Sequence, residues 1–136
     1  MEDKSIGAVI LAAGKGTRMH SDLAKVLHTI DRRPMLAYSV DLARAVGAER
    51  IVAVIGHQAQ QVRELCAAPG LLFVEQRPQL GTGHAVLQAR KAFAGFAGRV
   101  LVLCGDVPLL RTNTIAALID HHDATGAAVT VMTVVL

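Results

Sequence analysis

The 136-residue sequence predicts an α/β fold with a doubly wound, mostly parallel sheet, on three observations. Short apolar runs recur without period-2 alternation, as in strands buried on both faces. Segments with helical spacing of apolar residues lie between those runs. The longest connection, 14–33, directly follows the first run and is rich in glycine and charge.

The first run is 6–13, Ile-Gly-Ala-Val-Ile-Leu-Ala-Ala. Others follow at 51–55, 71–74, 100–104 and 128–136. Pro34 suits the first turn of a helix carrying Leu36, Val40 and Ala43 on one face, and Gly47 closes it. A shorter helix at 58–67 is expected to bury Val62, Leu65 and Cys66. A third, at about 82–95, aligns Val86, Ala89 and Phe93, and a fourth, at about 113–124, carries Ile115, Leu118 and Ile119 before Gly126. Strands alternating with helices at these lengths imply right-handed crossovers. The last run is still apolar at Val134-Val135-Leu136. An open apolar strand is an unusual place for a domain to end, so the chain is expected to be truncated and the sheet to continue in a longer parent.

Composition narrows the function. Apolar residues make up 52% and charged residues 18%, which describes a core-forming chain. Fourteen Lys/Arg against eleven Asp/Glu leave a net charge of +3, with the positives scattered. Three Phe, one Tyr and no Trp offer little for stacking single-stranded nucleic acid. No apolar stretch approaches the roughly 20 residues of a membrane span, and the start Met-Glu-Asp-Lys lacks a secretory apolar region, so a cytoplasmic protein is expected. Cys66 and Cys104 stand far apart and read as small apolar packing residues. The six His show no metal-binding spacing; His121 and His122 point about 100° apart on a helix. There is no GxSxG elbow for a serine hydrolase.

Three motifs carry chemistry. The first is Leu11-Ala12-Ala13-Gly14-Lys15-Gly16-Thr17-Arg18-Met19, at the carboxyl end of the first strand, where open α/β sheets bind ligands. Gly14 and Gly16 allow backbone N–H groups to approach a phosphate closely, and Lys15, Arg18 and Lys25 supply positive charge. Neither standard nucleotide loop is present: Val9 stands where a Walker loop needs glycine, and Met19 where a dinucleotide fingerprint does. A solvated surface turn is the alternative reading. The second motif is Leu103-Cys104-Gly105-Asp106-Val107-Pro108-Leu109. An Asp at a strand's carboxyl end beside a polyphosphate site suits Mg²⁺, which takes one or two carboxylates plus phosphate oxygens; the alternative is a turn or helix-capping Asp. The third runs from Gln76 to Ala85. The amides of Gln76 and Gln79 can pair with a pyrimidine edge, while Thr82 reads equally as a helix cap.

These motifs together, in this order and spacing, closely resemble the bacterial bifunctional N-acetylglucosamine-1-phosphate uridyltransferase/glucosamine-1-phosphate acetyltransferase family. The resemblance rests on the first motif followed by Lys25-Val26-Leu27-His28, then Gln79-Leu-Gly-Thr-Gly-His-Ala85, then Gly105-Asp-Val-Pro-Leu109. It covers the whole chain but only the front part of that family's N-terminal pyrophosphorylase domain. It implies a Rossmann-like nucleotide-diphospho-sugar transferase fold, with residues 1–136 a partial nucleotidyltransferase domain and the acetyltransferase β-helix domain absent. It also implies Mg²⁺-dependent formation of UDP-N-acetylglucosamine and pyrophosphate from UTP and N-acetylglucosamine 1-phosphate. That product feeds peptidoglycan and lipopolysaccharide precursors, and the full-length family is trimeric.

By the same resemblance, Leu11, Ala12, Ala13 and Gly14 line the nucleotide through their backbones. Arg18 and Lys25 hold the triphosphate as the catalytic pair. Gln76, Gly81 and Thr82 contact the uracil side, and Asp106 binds the metal. Two positions depart from the family: Ala24 stands where Pro is usual, and Cys104 where Tyr is frequent. The first is expected to loosen the loop that aims Lys25, the second to remove a ring near the ligand. The remaining sugar contacts and a second metal ligand would lie beyond Leu136. A sugar 1-phosphate is largely ionised at neutral pH, since the second phosphomonoester pKa is about 6, so the lack of a general-base dyad suits the chemistry. Two alternatives remain: a non-catalytic fragment with weak or no nucleotide binding, and a cytidylyl or other sugar-nucleotide transferase.

Overall fold

A computed structural model describes residues 2–15 and 22–136. Four parallel strands form the main sheet: β1 (Ile6–Ala12), β4 (Ala48–Ile55), β5 (Leu71–Glu75) and β6 (Arg99–Cys104). Their spatial order is β5-β4-β1-β6. Two short strands, β2 (Thr29–Ile30) and β3 (Arg33–Pro34), pair antiparallel within the long connection. Asp31 and Arg32 make their turn with φ of 49° and 66°, the left-handed pair that a two-residue hairpin needs. The helices are α1 (Met35–Ala45), α2 (Ala59–Cys66), α3 (Thr82–Gln88) and α4 (Thr112–Thr125).

Alternation along β1 sorts its side chains between two layers. Ala8, Ile10 and Ala12 join Leu36 and Val40 of α1, Val62 and Cys66 of α2, and Ile115 of α4 in the larger core. Val9 packs on the other face with Val52, Val54, Ala85 and Ala89, below α3. Both faces are covered, so the central strands read as unbroken apolar runs. The chain moves outward from β1 to β4 to β5 with α1 and α2 on one face. It then returns across the sheet to β6, and a crossover of constant hand puts α3 on the opposite face.

Four expectations need correction. The segment 128–136 is not a strand; Val129, Val134 and Val135 are 77%, 80% and 96% exposed. The handedness rule supplies the reason. With α4 on the same face as α1 and α2, a parallel strand added outside β6 would require a left-handed crossover. Cys104 is exposed and not a core filler, because it shares with Val100 and Val102 the β6 face that no helix covers. Leu65 is 65% exposed, whereas Val62 and Cys66 are buried as expected. The third helix is shorter than 82–95: it tightens at Ala89 into a 3-10 turn over Arg90–Phe93. That turn lays the Phe93 ring over Gly7, where any Cβ would collide with it.

The layer assignment predicts opposite outcomes for two aliphatic truncations. Ile10→Ala, in the fully buried layer, should lower unfolding free energy by about 2–5 kcal/mol in urea titration. Leu65→Ala should change it by no more than about 0.5 kcal/mol.

Candidate active site at the carboxyl ends of the strands

In the main sheet β1 lies between β4, its successor, and β6, reached last. The carboxyl ends of β1 and β6 therefore stand side by side at the end of the sheet where open α/β folds bind ligands. Parallel pairing in register to Leu11↔Cys104 brings the first and second motifs side by side. Gly105 N–H donates to the Leu11 carbonyl over 2.9 Å. A Cβ on Gly105 would stand 3.1 Å from that carbonyl oxygen and from Val26 Cγ1, so glycine permits the close approach.

Lys25 and Asp106 meet above this end of the sheet, with Lys25 Nζ 2.7 Å from Asp106 Oδ2. Both side chains are about one-third exposed, at 36% and 35%. Lys25 opens a 3-10 turn, Lys25–Leu27, anchored by the buried Val26 and Leu27. The loop before it is held by Gln58, whose Oε1 accepts from Ala24 N–H over 2.5 Å. This corrects the expectation for position 24. A proline has no N–H to donate, so here the departure to Ala24 gains a tether for the loop.

The third motif closes the neighbouring wall. A cleft of about 550 Å³ is lined by Lys15, Gly56, His57, Gln76, Arg77, Pro78 and Gln79. Gln79 Nε2 donates to the Ala13 carbonyl over 2.6 Å, and His57 N–H reaches the same oxygen over 3.3 Å. Gln76 is only 3% exposed, and its Nε2 donates to the Gly81 carbonyl over 3.0 Å. Gly81, with φ of 103°, precedes α3. Thr82 is the first helical residue and makes no capping bond, contrary to the capping expectation.

Leu11 is half-buried and Ala12 and Ala13 are buried, while Gly14 and Lys15 are exposed at the rim. Lys25, Asp106, Gln76 and Gly81 thus gather on the same edge of the sheet as Leu11–Gly14. Arg18 lies outside the described residues.

Residues 8–135 match the MobA-like NTP transferase domain. The chain belongs to that family. Among curated relatives it is similar to the bifunctional protein GlmU of Geobacter metallireducens, 55% identical over 129 residues, covering 94% of this chain and 27% of that protein. The GlmU of Geobacter sulfurreducens is 52% identical over 130 residues, covering 95% and 27%. The chain therefore spans about a quarter of the length of these relatives. Among solved structures, a nucleotidyl transferase from Methanothermobacter superposes with a TM-score of 0.71 at 21% identity, covering 88% of this chain and 58% of that one. A UDP-glucose pyrophosphorylase from Acinetobacter gives 0.70 at 24%, covering 93% and 54%. A Mycobacterium tuberculosis protein in complex with manganese gives 0.69 at 26%, covering 89% and 61%.

The donor set of this NTP transferase domain fits a divalent cation held largely by its substrate. Among the described residues no three His, Cys, Asp or Glu gather into a cage. Asp106 offers a carboxylate at this end of the sheet, which suits Mg²⁺ completed by phosphate oxygens and water. Partial desolvation of the sulfur on its exposed strand, with a smaller contribution from Asp106, pushes the Cys104 thiol above its ordinary pKa. Cys104 is thus a neutral thiol at pH 7, unsuited to nucleophilic attack.

His57 and Gln58 carry no recognisable motif. Their position just past β4 is the signal that finds them, because ligand-facing loops leave the carboxyl ends of strands.

The electrostatic link between Cys104 and Asp106 is testable by alkylation. Cys104 should react slowly with iodoacetamide at pH 7 and faster as pH rises. Asp106→Asn removes the nearby negative charge and should move that rate profile to lower pH; an unmoved profile contradicts the electrostatic influence of Asp106 on the thiol.

Proposed function

We propose that this chain forms the nucleotide-binding half of a uridylyltransferase site. The reaction joins UTP and N-acetylglucosamine 1-phosphate into UDP-N-acetylglucosamine, releasing pyrophosphate, with Mg²⁺ as the cation. The observation that carries the reading is the Lys25–Asp106 contact at 2.7 Å. It joins the loop after β1 to the end of β6, pairing a phosphate-binding charge with a metal-binding one.

In this reading, Leu11, Ala12, Ala13 and Gly14 border the nucleotide with backbone groups. Lys25 turns from Asp106 to the triphosphate, leaving the carboxylate for the cation. Arg18, from the same connection, holds the triphosphate as well. Gln76, Gly81 and Thr82 face the base. The sugar phosphate arrives ionised and attacks the α-phosphorus in line, so the residues' work is positioning and charge neutralisation. Mg²⁺, when bound, offsets the charge that develops on the leaving pyrophosphate. A cytoplasmic role in making cell-envelope precursors follows from those substrates. The similarity to two GlmU proteins at more than 50% identity supports this choice of substrate.

A second reading is nucleotide binding without turnover by the 136 residues themselves. It is favoured by the 27% coverage of the curated relatives, which leaves most of their length unmatched. Pyrophosphate release from UTP and N-acetylglucosamine 1-phosphate separates the two. Turnover by the isolated chain excludes the second reading, and binding without release excludes the first for this chain. In a catalytically complete parent protein, Arg18→Ala and Lys25→Ala should each reduce turnover by about 10²-fold or more. Unchanged rates in both variants refute the roles given to these side chains.

A further inference from the structure

Gln76 and His84 form a hydrogen-bonded unit that the motif reading did not separate. Gln76 is almost fully buried, yet it lines the 550 Å³ cleft. Its Nε2 lies 3.0 Å from the Gly81 carbonyl and 3.0 Å from His84 Nδ1. On the other side of the ring, Gln88 Nε2 lies 3.2 Å from His84 Nε2 and 3.0 Å from the His84 carbonyl.

These contacts compete. A neutral imidazole has one acceptor nitrogen and one N–H. Two amide NH₂ groups cannot both donate to it, so one must present oxygen instead. If Nδ1 is the acceptor, Gln76 keeps both of its donations, and Gln88 turns its oxygen toward the Nε2–H, giving up its donation to the His84 carbonyl. If Nδ1 carries the hydrogen, Gln76 must turn over, which sets its Oε1 against the Gly81 carbonyl with no hydrogen between them. Leaving buried polar groups mispaired costs far more than rearranging a side chain that water can reach. Gln76 is the buried partner and Gln88 the more accessible one, at α3's last turn.

We propose that His84 is a positioning residue for base selection: its Nδ1 lone pair locks the Gln76 amide with Oε1 toward the cleft. This rests on the nucleotide reading above and adds a mechanism for its specificity. With both amide hydrogens committed, Gln76 presents an acceptor only; among the described residues Oε1 has no hydrogen-bond partner. An acceptor at that place favours a base offering a ring N–H, as uracil does at N3. It disfavours cytosine, whose N3 offers a lone pair. Without the lock, the amide turns freely and either edge finds a match.

The test measures UTP and CTP affinities by calorimetry on the full 136-residue chain with Mg²⁺. The unsubstituted chain should prefer UTP. His84→Phe keeps a ring but removes the acceptor, and should shrink the UTP-to-CTP affinity ratio at least about tenfold, mainly by improving CTP binding relative to UTP. His84→Asn restores an acceptor near the same place and should keep most of the preference. A ratio unchanged in His84→Phe overturns the assignment. Failure of the unsubstituted chain to bind either nucleotide instead overturns the nucleotide reading itself. The ring tautomer is an independent readout on the unsubstituted chain, decided by ¹⁵N–¹H correlation spectra of His84. Hydrogen on Nε2 supports the lock, and hydrogen on Nδ1 overturns it even if the variants fail to fold.

Discussion

Parallel pairing between β1 and β6 is the constraint on which the site depends. It places Leu11 opposite Cys104. The next residues of each strand then leave the sheet at the same end, the end at which open α/β sheets bind ligands. Lys25 and Asp106 are 81 positions apart in the chain (106 − 25) but 2.7 Å apart in space because of this register. A two-residue slip along β6 would displace the carboxylate by roughly 6.6 Å, at about 3.3 Å per residue, and break the pair. The core beneath resists such a slip, since a fully buried layer of Ala8, Ile10 and Leu36 lies under the site.

The loops above the sheet are held chiefly by backbone groups caught by amides. The Ala13 carbonyl receives Gln79 and His57, Ala24 N–H donates to Gln58, and the Gly81 carbonyl receives Gln76. Each bond is modest alone, on the order of 1 kcal/mol net. Together they set the outline of the cleft. Amides suit this work: they carry no charge of their own to compete with a bound triphosphate, and each offers both donors and an acceptor.

Much of this architecture was legible from apolar runs. Segments 6–13 and 51–55 coincide with the central strands because strands covered on both faces leave no alternation, and 71–74 and 100–104 match the outer strands β5 and β6. The carboxyl-end rule likewise placed the glycine-rich connection and Asp106 on one edge. Most of what failed did so for reasons no local pattern contains. Leu65 is the exception: it is adjacent to Cys66 and so lies about 100° round the helix from it, off the stripe of Ala59, Val62 and Cys66 that is buried. Residues 128–136 have strand composition, yet crossover handedness denies them the edge of β6. Cys104 sits in an apolar strand whose outer face has no covering helix. The tether from Gln58 to Ala24 and the Gln76–His84 unit are pairings across the fold, visible only once the chain is folded. Arg18 lies outside the described residues, so its place relative to Lys25 rests on the sequence motif.

The central claim is that the ends of β1 and β6, with the wall formed by Gln76–Thr82, make one nucleotide site. Amide chemical-shift mapping during a titration with UTP and Mg²⁺ tests it most directly. The account predicts that perturbations concentrate at Leu11–Lys15, Gly56–Gln58, Gln76–Thr82 and Cys104–Asp106. Silence at those amides, with shifts instead around Ile6, Arg99 and Thr112 at the opposite edge of the sheet, would contradict it.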